Sequence, residues 1–229
     1  MNHWGELRRR LLLTCAAMLA LMVLLFIFKE AVLNFLLQPL HGTAVQTTAV
    51  AELFFTYLRV AGWGGFLLAL PLFFWQIWAF LAPGLYAHER RVLWPALAAV
   101  PVLFYAGAAF AFYALVPLVL DYLLGFAQPG VLAQPRLADY LGFLFTLLGV
   151  VGAAFNLPVV LVLSMALGFI TPAQLAAARR WVIVGVFVVA AFATPPDPLS
   201  QTVLAVPLLL LYEAAILSGK LLEKQRKKG

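Results

Sequence analysis

The sequence predicts an all-α polytopic membrane protein, with six transmembrane helices in a bent, concave bundle and short fifth and sixth spans. Three observations predict it. The 229 residues are 65% hydrophobic and only 10% charged, with a mean hydropathy of +1.02, which leaves too little polar surface for a soluble globule. Apolar runs of helical length recur along the chain, and no alternating pattern of barrel strands appears. The basic residues gather in every second connector, as the positive-inside rule requires.

The runs fall at about 11–28, 52–81, 92–120, 139–168, 181–194 and 199–218, and are read as one domain over residues 1–229. Arg8, Arg9 and Arg10 precede the first run; Arg90 and Arg91 separate the second from the third, and Arg179 and Arg180 the fourth from the fifth. Lys220, Lys224, Arg226, Lys227 and Lys228 follow the sixth. An even number of spans with basic ends places both termini in the cytoplasm, so the net charge of +6 is read as topology and not as a nucleic-acid surface. Connectors 29–51, 121–138 and 195–198 are then extracytoplasmic.

Run lengths carry further expectations. A helix over 52–81 would measure about 45 Å against a hydrocarbon core of about 30 Å, so it must tilt, bend at Pro71 or project. Run 181–194 gives only about 21 Å. The last two segments therefore form a re-entrant hairpin or cross and thin the bilayer, crossing being favoured. Pro95, Pro101, Pro117, Pro158 and Pro207 in or beside apolar runs predict bent helices and a concave face. No internal repeat stands out, which disfavours an inverted-repeat transporter.

The polar residues of so apolar a chain are its functional candidates. The connector Phe80-Leu-Ala-Pro-Gly-Leu-Tyr-Ala-His-Glu-Arg-Arg91 presents Glu89 on the cytoplasmic side, where Glu6 also lies. Two carboxylates on one face fit two guanidinium groups through paired, charge-assisted hydrogen bonds. Within the apolar runs stand Gln76, Asn156, Gln201 and Glu213, costly in hydrocarbon and expected to meet another helix or a cavity. Cys15, the single cysteine, excludes an internal disulfide and reads as a small buried hydrophobe. His3, His41 and His88 are too scattered for a metal site, and neither a phosphate-cradling loop nor a His-Glu-x-x-His pair occurs. No catalytic residue, cofactor or metal is expected.

These residues fall into a recognisable order. His3-x-x-Glu-Leu-Arg8, Gln38-Pro39-Leu40, Trp75-Gln-Ile-Trp-Ala-Phe80, Pro83-Gly-Leu-Tyr-x-x-Glu-Arg-Arg91, Ala193-Thr-Pro-Pro-Asp-Pro198, Ser200-Gln201, Ala205-Val-Pro207 and Leu211-Tyr-Glu213 together resemble the TatC family, the multi-span subunit of the twin-arginine protein translocase. The resemblance covers nearly the whole chain. It implies a receptor in a bacterial or archaeal cytoplasmic membrane that binds twin-arginine signal peptides of folded precursors and nucleates a translocase driven by the proton-motive force. Its implied partners are small single-span subunits of the TatA/TatB type, further copies of itself and the lipid bilayer, with no nucleic acid.

By position, Glu6 and Glu89 would engage the signal arginines, with Arg8, Phe80, Pro83, Leu85, Tyr86 and Arg90 shaping the site. Gln76, Asn156, Gln201 and Glu213 would serve intramembrane or partner contacts, and Pro39, Pro195, Pro196, Asp197 and Pro198 the structural turns. One departure stands out: the family commonly has glutamate where this chain has Asn156, so packing or a hydrogen bond to a partner helix is expected there, without a change of charge. Arg8-Arg9-Arg10 and the following leucines imitate a twin-arginine signal, yet the run is long and lacks a cleavage motif, so it reads as an uncleaved span. The alternative from another class is a proton-coupled small-solute transporter.

Overall fold

The computed structural model describes residues 3–47, 49–81, 87–125, 134–194 and 197–226, apart from the side chains at 3, 4, 6, 7, 50, 77–81, 87–93, 96, 97, 222, 225 and 226. Among these residues every regular element is helical: α1 His3–Ile27, α2 Lys29–Leu36, α3 Val50–Leu81, α4 Ala87–Phe110, α5 Val116–Leu124, α6 Leu137–Ala154, α7 Leu157–Ala166, α8 Pro172–Ala193 and α9 Pro198–Arg226. They supply six stretches long and apolar enough to cross a membrane, ending with Pro172–Ala193 and Pro198–Leu221. Contacts group the chain into two compact units, Met1–Tyr86 with Leu120–Phe145, and Ala87–Val119 with Thr146–Gly229.

In the first unit α1 and α3 form an antiparallel pair. Glycines let them close: a Cβ on Gly65 would lie 3.0 Å from the backbone N and Cα of Met22, and one on Gly64 would lie 2.5 Å from Leu25 Cδ1. Without a hydrophobic drive between helices in lipid, this backbone approach is what gains dispersion energy. The register is readable at both ends. Arg10 donates from Nη1 to Gln76 Oε1 at 3.1 Å, and Lys29 Nζ sits 5.1 Å from the Phe26 ring and 5.3 Å from the Tyr57 ring.

Those two cations bound the apolar stretch of α1, so the part of α3 level with it runs from about 57 to 76, roughly 28 Å of helix. That matches the hydrocarbon layer. The first turns of α3 project beyond Lys29 and pack on α2. α3 passes through Pro71 as continuous helix. The projecting end is tied down by its surroundings. Pro39 and Leu40 are buried in a 3₁₀ turn, Gln38–Leu40, and the chain then reverses through left-handed backbone at His41 and Gly42. Gln46 pairs with the segment before α6 through Gln46 N–Pro135 O at 3.0 Å and Leu137 N–Gln46 O at 2.9 Å. The buried Tyr140 hydroxyl donates to Leu36 O at 2.6 Å.

The second unit shows how the prolines are absorbed. The third span joins α4 to α5 through a π turn, Ala111–Leu115, closed by Val116 N to Ala111 O. Pro117 follows at once; it has no N–H to continue the regular ladder, and the widened turn takes up the fault. The fourth span is interrupted at Phe155 and Asn156, between α6 and α7, because Pro158 cannot donate to Ala154. Two aromatic rings fill glycine gaps around this break. A Cβ on Gly107 would lie 2.7 Å from Phe155 Cγ, and one on Gly152 would lie 2.9 Å from Phe104.

The apolar run expected at 181–194 keeps its length, but the helix carrying it begins nine residues earlier. Thr171 and Gln174 make a capping box, with Gln174 N donating to Thr171 Oγ1 at 3.2 Å and Thr171 N to Gln174 Oε1 at 2.8 Å. The 22 residues of α8 measure about 33 Å. α9 packs on both α7 and α8, around Met165, Leu175, Tyr212 and Ile216. Its first turn is capped by Asp197, whose Oδ1 accepts from Ser200 N at 2.7 Å, with Pro198 in the first helical position, where its missing N–H costs nothing.

Gly65→Ala should force α1 off α3 and lower the stability of the protein in detergent by about 1–3 kcal/mol. Gly185→Ala, where a Cβ meets nothing within 4 Å, should not destabilise. Paired thermal-unfolding curves check both, and an equal fall for the two would contradict the close-packing account.

Candidate functional site

Each residue assigned to the peptide face sits at or near a helix end, and the described structure reaches them unequally. Glu6 and Arg8 lie in the first turns of α1, Phe80 at the end of α3, and Glu89 and Arg90 in the first turn of α4. Arg8 is exposed. The side chains of Glu6, Phe80, Glu89 and Arg90, and the whole of Pro83, Leu85 and Tyr86, lie outside the described residues.

The polar residues of the spans are largely occupied within the fold. Gln76 accepts from Arg10, as above. Glu213 makes a two-pronged ion pair with Arg179, Nε–Oε1 at 2.6 Å and Nη2–Oε2 at 2.8 Å, joining α8 to α9. This fork-on-fork geometry is among the strongest available to a carboxylate, and it lets two partly exposed charges on apolar helices neutralise each other. Arg179 was read from sequence only as a topology marker. A signal was present: Arg179 and Glu213 are equally far from the turn at 195–197, so folding the hairpin brings opposite charges level. Gln201 is half-buried.

Asn156 has a distinct place. In a continuous helix its backbone N–H would bond Gly152 O; instead it bonds Ala153 O at 3.0 Å, and the side-chain Nδ2 takes the vacated Gly152 carbonyl at 3.0 Å. The amide thus replaces a ladder bond that the break removes. Its Oδ1 is buried and has no hydrogen-bond partner among the described residues. The atom has no accessible surface, so a donor from another helix reaches it only after neighbouring side chains move aside. An ionised glutamate at this position could accept but not supply the Gly152 bond, which separates this chain's asparagine chemically from the residue common in the family it resembles.

Of the turn residues, Pro39 is buried, Asp197 and Pro198 cap and start α9 as described, and Pro195 and Pro196 fall outside the described residues. Cys15 corrects its sequence reading: it is exposed on α1, because the stripe it occupies faces outward beside α3. No cluster of three or more metal-ligating side chains occurs among the described residues.

Comparison with known proteins gives a consistent picture. Residues 2–207 match the family model described as Sec-independent protein translocase protein (TatC). The chain is 40% identical over 230 residues to the Sec-independent protein translocase protein TatC of Magnetococcus marinus, covering 98% of this chain and 85% of that one. It is 37% identical to the protein of that name from Aquifex aeolicus, with 99% and 96% covered. In three dimensions it is similar to a crystal structure of the twin arginine translocase receptor TatC in DDM, at a TM-score of 0.82 and 36% identity, covering 95% of this chain and 99% of that one.

Two outcomes follow from the paired groups. Arg179→Glu and Glu213→Arg should each lower the unfolding temperature, and the double exchange should recover most of the loss; failure of the exchange to recover any would remove the ion pair as the link between α8 and α9. Asn156→Ala should cost about 0.5–1.5 kcal/mol through the lost Gly152 bond, whereas Asn156→Gln should not simply restore it, since the longer side chain misplaces the donor. Denaturant titration in detergent measures both.

Proposed function

This chain belongs to the TatC family of Sec-independent protein translocase proteins, and we propose that it is the receptor of its translocase, binding the paired-arginine signal peptides of folded precursors. As a member of that family it is a membrane component of protein transport and not an enzyme. The reading is carried by one observation: the chain aligns along 95% of its length with a solved twin arginine translocase receptor while keeping Glu6 and Glu89 in the motifs that resemble the family's recognition segments.

The chemistry is direct. Each signal arginine offers a planar fork of donors to one carboxylate, and each charge-assisted hydrogen bond contributes roughly 1.5–3 kcal/mol. Lysine presents a point charge without the fork, so the pair discriminates between the two cations. Phe80, Pro83, Leu85, Tyr86, Arg8 and Arg90 shape the surface around that pair. The chain acts as a single six-span unit in the cytoplasmic membrane, with both termini inside. Small single-span subunits dock on it. The proton-motive force supplies the energy, and copies of the chain associate in the assembled translocase. The small-solute transporter reading loses ground here, because Glu213, the acidic residue of the last span, is bound to Arg179.

A fluorescent signal peptide titrated onto the full chain in nanodiscs tests the proposal. The Arg-Arg peptide should bind, Lys-Lys should weaken it, and Glu89→Ala should raise the Kd about tenfold or more. Binding indifferent to both changes would defeat the assignment.

A further inference from the structure

Beside the exposed Cys15, α1 and α3 enclose a groove of about 150 Å³. Its floor is Thr14, Ala69 and Leu70, all buried, and its rims are Leu11, Phe66 and Phe73, all exposed. The one hydroxyl in it, on Thr14, donates to Arg10 O at 3.0 Å, so the surface offered is wholly apolar. An apolar cavity of this volume holds a molecule of about six carbons. A helix, about 10 Å across with its side chains, does not enter. The shape fits the upper part of an extended hydrocarbon chain.

What lies at the mouth decides which hydrocarbon chain. The α1 residues of the groove continue at helical spacing from Met18 through Cys15 and Leu11 to Arg8, which places Arg8 on the same face one turn above. Arg8 and Arg9 are exposed and have no partner among the described residues, while Arg10 is held by Gln76. This level is the boundary of the apolar layer, where lipid phosphates lie. We propose that the groove is a binding site for one anionic phospholipid, its phosphate on Arg8 and Arg9 and the start of one acyl chain between α1 and α3. The site is built from the first unit alone; it shares Arg8 with the peptide face, while Arg9 and the groove residues are its own.

Photo-crosslinking tests it. The full chain is placed in phosphatidylcholine nanodiscs with a trace of phosphatidylglycerol carrying a diazirine near the head of one acyl chain, or with the same probe on phosphatidylcholine. Adducts mapped by mass spectrometry should fall in segments 11–18 and 66–73, at least about fivefold more from phosphatidylglycerol. Arg8→Gln with Arg9→Gln should reduce that yield to the phosphatidylcholine level. Ala69→Phe fills the floor and Cys15→Phe the open side, and each should abolish the adducts in protein whose unfolding curve shows it folded. Equal yields from the two probes, or a preference that survives the groove-filling variants, would overturn the proposal. So would a photoreactive signal peptide that labels these segments and displaces the phosphatidylglycerol adducts, because the groove would then belong to the peptide.

Discussion

In hydrocarbon an open backbone N–H or C=O finds no water, and leaving it unmet costs several kcal/mol. Nearly every local irregularity in this protein answers that constraint. Prolines remove donors, and at four of them the loss is met in a visible way: by a widened turn before Pro117, by a break and a substituting amide before Pro158, and by a first-turn position at Pro172 and Pro198, where no donor is missed, while Pro71, Pro95, Pro101 and Pro207 stand inside helices. The same demand extends to side chains. Thr14, Ser164, Thr194, Thr202 and Ser218 all return their hydroxyls to carbonyls four residues earlier, and the intramembrane glutamate has its arginine.

Once backbone polar groups are met within helices, packing between helices rests on close contact and a few polar links, such as Arg10 to Gln76 and Arg179 to Glu213. That is why glycine matters at so few but such definite places. Gly64 and Gly65 bring α1 against α3, and Gly107 and Gly152 admit Phe155 and Phe104.

The helical class, the number of spans and the family were legible in the sequence because they rest on composition, basic connectors and motifs that no tertiary detail can hide. Helix limits were less so. The run at 181–194 was bounded by hydropathy, which stops at Arg180, whereas the helix starts at a capping box, Thr171-Pro-Ala-Gln174, whose signature stood in plain view. The arginines obscured it, since their cost in a span is removed only by a partner on another helix. Cys15 went the other way: beside leucines it looks buried, and only the α1–α3 register shows which stripe faces out. The break at Asn156 was half legible, as a proline and a polar residue in one run, but the exchange of donors at Gly152 needs coordinates.

The π turn at Ala111–Leu115 has a further consequence for how this span tolerates change. One surplus residue in a helix swings everything after it by about 100°. Val116, Val119 and Leu120, all buried, face inward because of that swing. Deleting a single residue from the turn would yield a more regular helix and a worse protein, with its inner face rotated toward the lipid. Substitutions along the span can accumulate singly, but its length there is fixed.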